Sequence, residues 1–595
     1  MSQSQARLHV LPALATALLL GVSLSAAPAI AKEKTKPGKS APAMEVSYSV
    51  SIPTIESTEA NMADETLADI LEGNLAEHAQ ALASLDAQSI VVPQIVLTVS
   101  SQQAGKARET TITFSDLVLE GVDNGVADRV SLGGVAMISD DAQAEFGTMG
   151  AANFDIGGVL GFYGLADRSG QTDLQTIYTD FSAEGGSLSS DEIDCTIGAT
   201  AGAEFKARPL TTSFGEILAL SQAIEDEPED IDPAQLGQLL RIYADMLTAF
   251  ETSEITFDGI SCTGEDNEGR PMVFEVAGMT MDGMSPGRYP AISMDGFNIV
   301  VEGDGFMSLD NFTFKAMDLS GAIAVLQSAP ANVTEAWLEE NARAMFPAME
   351  GFAFSGFNID IPEPDNPDAR IKAGIGAFDL SLGSYLNAIP TDLDVQASNI
   401  RIELPENVED DALEQLRALG VTSLDAGFRL AAAWDESTSQ INLEELSVTG
   451  VDLATVTLAG TIANAGADLF SLDLDAAAEA ALVTAVKSLD LSIIDTGLSD
   501  LALAIAAKEQ GSSPEQMRPI LAGLAQGTII GMLADAANAA QLGEVVNRFI
   551  SGTARTLNIG IIAKTDPGLG FEDMMEAEQN PASLIGKVNI TATAE

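Results

Sequence analysis

Phe352-Ala353-Phe354-Ser355-Gly356-Phe357-Asn358-Ile359 is the stretch that decides the fold. Its apolar residues stand at i, i+2, i+5 and i+7. Strict alternation along a β-strand would put Phe352 and Phe354 on one side and Phe357 and Ile359 on the other. One extra residue at Ser355-Gly356 restores a single apolar side, which is what a β-bulge does, and it adds twist and curvature. Glycine or asparagine at that point suits the unusual dihedrals a bulge needs. The element recurs at residues 112–119, 255–260, 292–299 and 441–448, with looser copies at 132–135 and 307–312. The pattern predicts long, curved, bulged antiparallel sheets with one continuous apolar face.

A longer unit surrounds this element. Phe205-Lys206-Ala207-Arg208-Pro209-Leu210 and Phe314-Lys315-Ala316-Met317-Asp318-Leu319 share the string F-K-A-x-x-L, and Phe154-Asp155-Ile156 and Phe378-Asp379-Leu380 are shorter relatives. A helix-like or mixed segment follows each, and then the bulged strand returns. Repetition of this kind means similar units packed side by side, each unable to bury its apolar face alone, while the uneven periods exclude a strict solenoid. Asp232-Pro233 signals the start of a helix reaching about residue 250, and another opens near Thr334. An Ala- and Leu-rich block over about 475–550 reads as helical. The expected class is α+β and β-dominated, with repeated β units and inserted helices. A boundary near Met349 divides the chain into β-rich domains at 47–348 and 349–595.

The chain has 595 residues, 88 acidic against 28 basic, for a formal charge of −60, yet 46% of it is hydrophobic. That apolar content excludes a disordered acidic solvator, and the charge excludes nucleic-acid binding. Residues 1–31 read as a signal peptide: Arg7, an apolar run over 11–24, and Ala29-Ile30-Ala31 as the cleavage site. Residues 32–46 form a basic linker. Cleavage removes Arg7 and no acid, taking −60 to −61. No cysteine stands at the cut, which excludes a lipoprotein, and 2 Trp and 6 Tyr are too few for the aromatic girdles of an outer-membrane barrel. The expected product is extracytoplasmic, in the periplasm of a Gram-negative bacterium, and not transmembrane after cleavage.

The same cut leaves His78 as the sole histidine, so a Ser-His-Asp site or a multi-histidine metal site is not available. His78 falls in the helical stripe of Leu67, Leu71, Leu75, Leu82 and Leu85 and reads as a helix-face residue. The two cysteines, in Ile193-Asp194-Cys195-Thr196 and Ile260-Ser261-Cys262-Thr263, occupy equivalent places in two repeats. They are predicted to form a disulfide, Cys195 to Cys262, closing a loop of about 70 residues worth roughly 3–4 kcal/mol in the chain-entropy model. Six carboxylates between Glu225 and Asp232 lack the spacing of a calcium loop and read as a solvated turn. Gly523, Gly527 and Gly531 lie on one helix face, which predicts close helix packing inside the domain, with membrane-surface insertion as the alternative. No catalytic residue, metal ligand or cofactor site is assigned.

The bulged repeats and F-K-A-x-x-L units resemble large bacterial envelope proteins of the AsmA-like and YdgA-like kind, over about residues 47–462. The resemblance implies curved sheets forming an apolar groove, with a role in lipid handling and envelope maintenance. The Ala-rich helical C-terminus and the cleavable leader depart from the AsmA-like pattern, which puts bridge-like transport between membranes in doubt. The expected function is that of a non-catalytic exported envelope protein binding lipid or another hydrophobic ligand along an apolar sheet face. The alternative is a structural or interaction protein of the periplasm or cell surface, with another envelope protein as partner.

Overall fold

Each copy of the bulged pattern forms one long strand of an antiparallel meander in which neighbours in sequence are mostly neighbours in space. The computed structural model describes residues 45–595 except 104–105, 169, 214, 218–219, 221–231, 364–365, 405–410 and 534–536. The expected signal peptide, nearly all of the linker and residues 225–231 of the acidic run lie outside the described residues. Residues 47–100 and 108–595 make one compact unit. A second grouping takes in 1–46 and 101–107, whose described residues are strand ends.

β1 (Ala87–Gln103) pairs with β2 (Lys106–Asp123). Six strands follow, each interrupted once: β3 (Val126–Leu132, Gly134–Ser139), β4 (Ala142–Phe146, Met149–Asp155), β5 (Gln175–Ala183, Gly186–Ser190), β6 (Ile193–Ile197, Thr200–Ala207), β7 (Ile255–Phe257, Ile260–Glu265) and β8 (Pro271–Val276, Gly278–Met281). Then come β9 (Ile292–Val301), β10 (Gly305–Phe314), β11 (Gly351–Glu363), β12 (Asn366–Leu386), β13 (Ile389–Glu403) and β14 (Ser423–Asp435). β15 (Gln440–Gly450), β16 (Ala454–Ala463), β17 (Ala485–Asp495), β18 (Thr556–Ala563) and β19 (Val588–Ala594) complete the series. From β2 onward each pairs antiparallel with the next. Tight turns make this possible: between β2 and β3, Asn124 and Gly125 both take positive φ, 48° and 78°, as a two-residue hairpin loop of the favoured twist demands.

The interruptions fall in line across the sheet. Gly133 N donates to Ser115 O at 2.8 Å, Gly147 N to Gly185 O at 3.0 Å, Gly198 N to Gly259 O at 2.7 Å and Ala277 N to Asp295 O at 2.9 Å. The line continues through Gly296, Gly356 and Asn399, whose φ values are 62°, 66° and 52°. These are the small or acidic pairs of the repeat. The expected one-sided bulge occurs where register shifts, at Ala397/Ile400, Ala431/Ala432 and Leu443/Leu446. Between β9 and β13 the device differs: Ser355 pairs with Ala377 and Phe357 with Ile375, so both partners carry an inserted residue and the register holds. A matched insertion reverses the pleat on both strands without costing the ladder its alignment. A Cβ at Gly356 would stand 2.0 Å from Asp310 Oδ2 at a φ of 66°, so a side chain here is strained.

The helices sit in the connections. They include α1 (Leu75–Leu82), α2 (Ile156–Phe162), α3 (Pro233–Met246), α4 (Ser320–Gln327), α5 (Glu335–Asn341), α6 (Leu474–Leu482), α7 (Leu498–Gln510), α8 (Pro514–Met532), α9 (Ala539–Ile550) and α10 (Phe571–Gln579), besides further helices at Asp64–Asp69 and Asp411–Ala418. Asp232 caps α3 with Pro233 at the first turn, as read from sequence, and Gln235 completes a capping box. Both F-K-A-x-x-L lysines tie a strand end to carboxylates: Lys206 Nζ lies 3.0 Å from Glu204 and 3.1 Å from Glu251, and Lys315 Nζ lies 2.9 Å from Asp379. β17 runs through the segment read as continuously helical. The sheet is unbroken through residue 349, where Phe312 of β10 pairs with Phe354 of β11.

Candidate functional site: an apolar sheet face

Cross-strand register places the apolar residues of successive strands in rows. One row runs Met279, Met294, Phe312, Phe354, Phe378, Ala397, Phe428, Val448, Val456, Ile493 and Leu557, from β8 to β18. A second runs Ile292, Phe314, Phe352, Leu380, Val395, Leu430, Leu446, Leu458, Leu491 and Ile559. Across the line of insertions a third runs Phe274, Ile299, Met307, Ile359, Ala373, Ile402 and Leu424. Ring contacts confirm that these rows share a face. Phe354 and Phe357, three residues apart, have ring centroids at 6.4 Å, and Phe354 stacks on Phe378 at 5.2 Å.

The opposite face is polar. Its matching row reads Ser293, Thr313, Ala353, Asp379, Gln396, Arg429, Ser447, Thr457 and Ser492. Its few cations are paired with carboxylates: Arg429 lies 2.9 Å from both Asp394 and Glu445, and Arg401 lies 2.7 Å from Asp425. Hydrogen bonding to Asp394 raises the Arg429 pKa further above its ordinary value. All ionisable groups of these rows are on this side, so the apolar rows contain no group that titrates or hydrogen-bonds through its side chain.

The two largest covers on the apolar face lie towards its ends, and between them Phe470 packs on Trp434 of β14 with ring centroids 4.8 Å apart. At one end Leu67, Ile70, Ala79 and Leu82 pack with Ile90, Val92, Leu117, Leu119 and Val122 in a buried core. At the other, Val545 and Phe549 of α9 pack on Ile493, Leu557, Ile559 and Ala592. Within the strands β9 to β17 no Leu, Ile, Val, Met or Phe among the described residues is buried, and their buried apolar side chains are alanines, whereas Leu319, Ile323, Leu326 and Val333 are buried in the connection between β10 and β11. Val448 is 58% exposed, Ile402 49% and Phe428 39%. An apolar sheet face normally finds a second layer. Here it is left bare over an area far larger than the scattered apolar residues of an ordinary surface.

The two cysteines stand directly opposite on β6 and β7, with their sulfurs 2.13 Å apart, at disulfide-bonding distance, and both are buried. Their neighbours in the row are Leu188 and Phe274, so the pair belongs to the apolar face. His78, on α1, is half-buried with Nε2 2.9 Å from Asp69 Oδ2. Hydrogen bonds from Asn74 and then His78 hold the Asp69 carboxyl below its ordinary pKa.

The glycine face of α8 corrects the sequence reading. No atom lies within 4 Å of a Cβ built on Gly523, Gly527 or Gly531, so the stripe faces open space instead of a neighbouring helix. Ile520 and Leu524 beside it are 65% and 66% exposed. Close approach uses another glycine, Gly543 of α9, where a Cβ would meet Ile530 at 2.7 Å. A cleft of about 650 Å³ between α7, α8 and α9 is lined by Asp500, Glu515, Arg518 and Asn547. Arg518 is already bound to Asp500 there.

Among the described residues no group of His, Cys, Asp and Glu could hold a metal ion, and no helix is long and apolar enough to cross a membrane. No curated protein and no solved structure matches the chain. A family described as "Uncharacterized protein" matches residues 447–595, the segment from the end of β15 to β19 that carries the α9 cover.

Proposed function

We propose that this chain is a non-catalytic exported protein of the bacterial envelope that binds lipid or another hydrophobic ligand along the apolar face of β9–β17. The observation that carries this reading is the set of uninterrupted apolar rows left bare between two covered ends. Water against such a face costs about 25 cal/mol for each Å² of apolar surface, and an alkyl ligand relieves that cost without needing a polar partner. Native mass spectrometry and lipid extraction of protein purified from its own compartment test it. Co-purifying lipid is expected; protein recovered bare, and unable to bind lipid when it is supplied, removes the reading.

A second reading rests on a different surface. The exposed, uncharged face of α8 favours a structural or interaction role with an envelope protein. Leu524→Glu would abolish capture of such a partner in a pull-down and leave lipid content unchanged.

A further inference from the structure

Three methionines meet where the apolar rows begin, on β8 and β9. Met279 and Met281 of β8 are two residues apart and so share a face of the sheet, and Met294 of β9 stands directly opposite Met279. The bond from Asp282 N to Ala291 O, 2.9 Å, makes those two residues a hydrogen-bonded pair of this ladder. By the alternation of an antiparallel ladder Met279 and Met294 are then a non-hydrogen-bonded pair, the kind that brings side chains closest. Met281 lies on the diagonal from Met294, a separation of about 7–8 Å that long side chains span. Met279 is exposed and the other two are half-buried, so the group is open to solvent. We propose that Met279, Met281 and Met294 form a binding site for a soft monovalent cation of the Cu(I) class, held by their three thioether sulfurs.

The chemistry of the group selects the ligand. Thioether sulfur is a soft donor that favours Cu(I), whereas Ca²⁺, Mg²⁺ and Mn²⁺ need oxygen ligands. The residues facing the three methionines in the ladder are Ile255, Phe257, Ile292 and Phe312, which offer a harder ion nothing. Packing alone does not call for sulfur here: from Phe312 onward the row that starts at Met279 and Met294 is built of Phe, Ala, Val, Ile and Leu. Methionine adds three rotatable bonds, which let sulfurs from different positions converge on one point. The formal charge of −60 raises the local concentration of any cation and leaves the neutral sulfurs as the selective element. The site is independent of the lipid-binding reading above.

The test uses the full chain with Cys195 and Cys262 joined, so that no thiol competes, and Ag(I) supplied as the nitrate in chloride-free buffer. Ag(I) shares the charge and softness of Cu(I) and keeps its oxidation state. Native mass spectrometry should find one ion retained per chain. Met279→Leu, Met281→Leu and Met294→Leu combined keep the apolar volume and should abolish retention with the circular dichroism spectrum unchanged. Met574→Leu with Met575→Leu, on α10, should leave it intact. If the triple variant does not fold, Met294→Leu alone decides, and it should weaken retention at least about tenfold. Cu(I) kept reduced by ascorbate without oxygen should show sulfur as its sole ligand shell in X-ray absorption. No retention by the unsubstituted chain, undiminished retention by the folded leucine variants, or an oxygen or nitrogen shell around Cu(I) overturns the site.

Discussion

At Gly356 and Gly523, identical residues answer to opposite demands. Gly356 has φ of 66° and a Cβ would collide with Asp310, so Gly356→Ala is expected to cost about 1–3 kcal/mol in chemical denaturation. Gly523 sits in open helix, so Gly523→Ala should stabilise by about 0.5–1 kcal/mol in the same measurement. Asp495 is 5% exposed. Burial pushes its carboxyl up, but hydrogen bonds from Ser499 and Gly497 and the Arg555 guanidinium at 2.8 Å outweigh it, so its pKa is lowered overall. A lowered folded-state pKa means the stabilisation is present above the ordinary aspartate value of about 3.9 and fades as pH falls through the lower folded value. Asp495→Asn should lose about 2 kcal/mol at neutral pH and flatten the acid limb of a stability–pH curve. For the cysteines, replacing both by serine should cost about 2–4 kcal/mol, and thiol titration of protein from its native compartment should find none free. The Cys195 to Cys262 pairing was legible because a shared I-x-C-T string marks equivalent places on strands, and equivalent places become opposite ones in an antiparallel ladder.

At the scale of the element, the strand pattern is the part sequence conveys best. The i, i+2, i+5, i+7 spacing depends only on which way successive side chains point, a local property of the pleat. What the spacing leaves open is how neighbours accommodate the extra residue. Gly356 is matched by Gly376 opposite, whereas Glu444 is not matched on β16, and only the paired strands distinguish the two solutions. Helices are less legible. The Ala-rich block contains β17, whose Leu489, Leu491 and Ile493 alternate at strand spacing within helical surroundings and pair with β16 and β18. α9 is amphipathic and buries Leu542 against its surroundings. Leu542→Ala is expected to cost about 2–5 kcal/mol and to raise hydrogen exchange selectively in β18 and β19, which lie beneath the helix.

For the whole molecule, acidity and apolarity are segregated by the pleat. The carboxylates lie in turns and on the polar face, so net charge limits association of a sheet whose other face is bare. Neutralising that coat should release the apolar face to associate. Light scattering is expected to show a dispersed protein at pH 7 and aggregation on approach to the isoelectric point near 4.1. A protein that stays dispersed at its isoelectric point would mean that the face is covered in solution.

Sequence alone determined the β-dominated class, the single apolar face and the cysteine partnership, because each follows from residue identity and spacing within a strand. Tertiary structure decided which parts of that face are covered. Whether a helix lies over a given row depends on connections many residues away, as α9 over Leu557 and the empty space beside Gly523 both show. Burial is a property of what packs from outside the strand, and no local pattern encodes it.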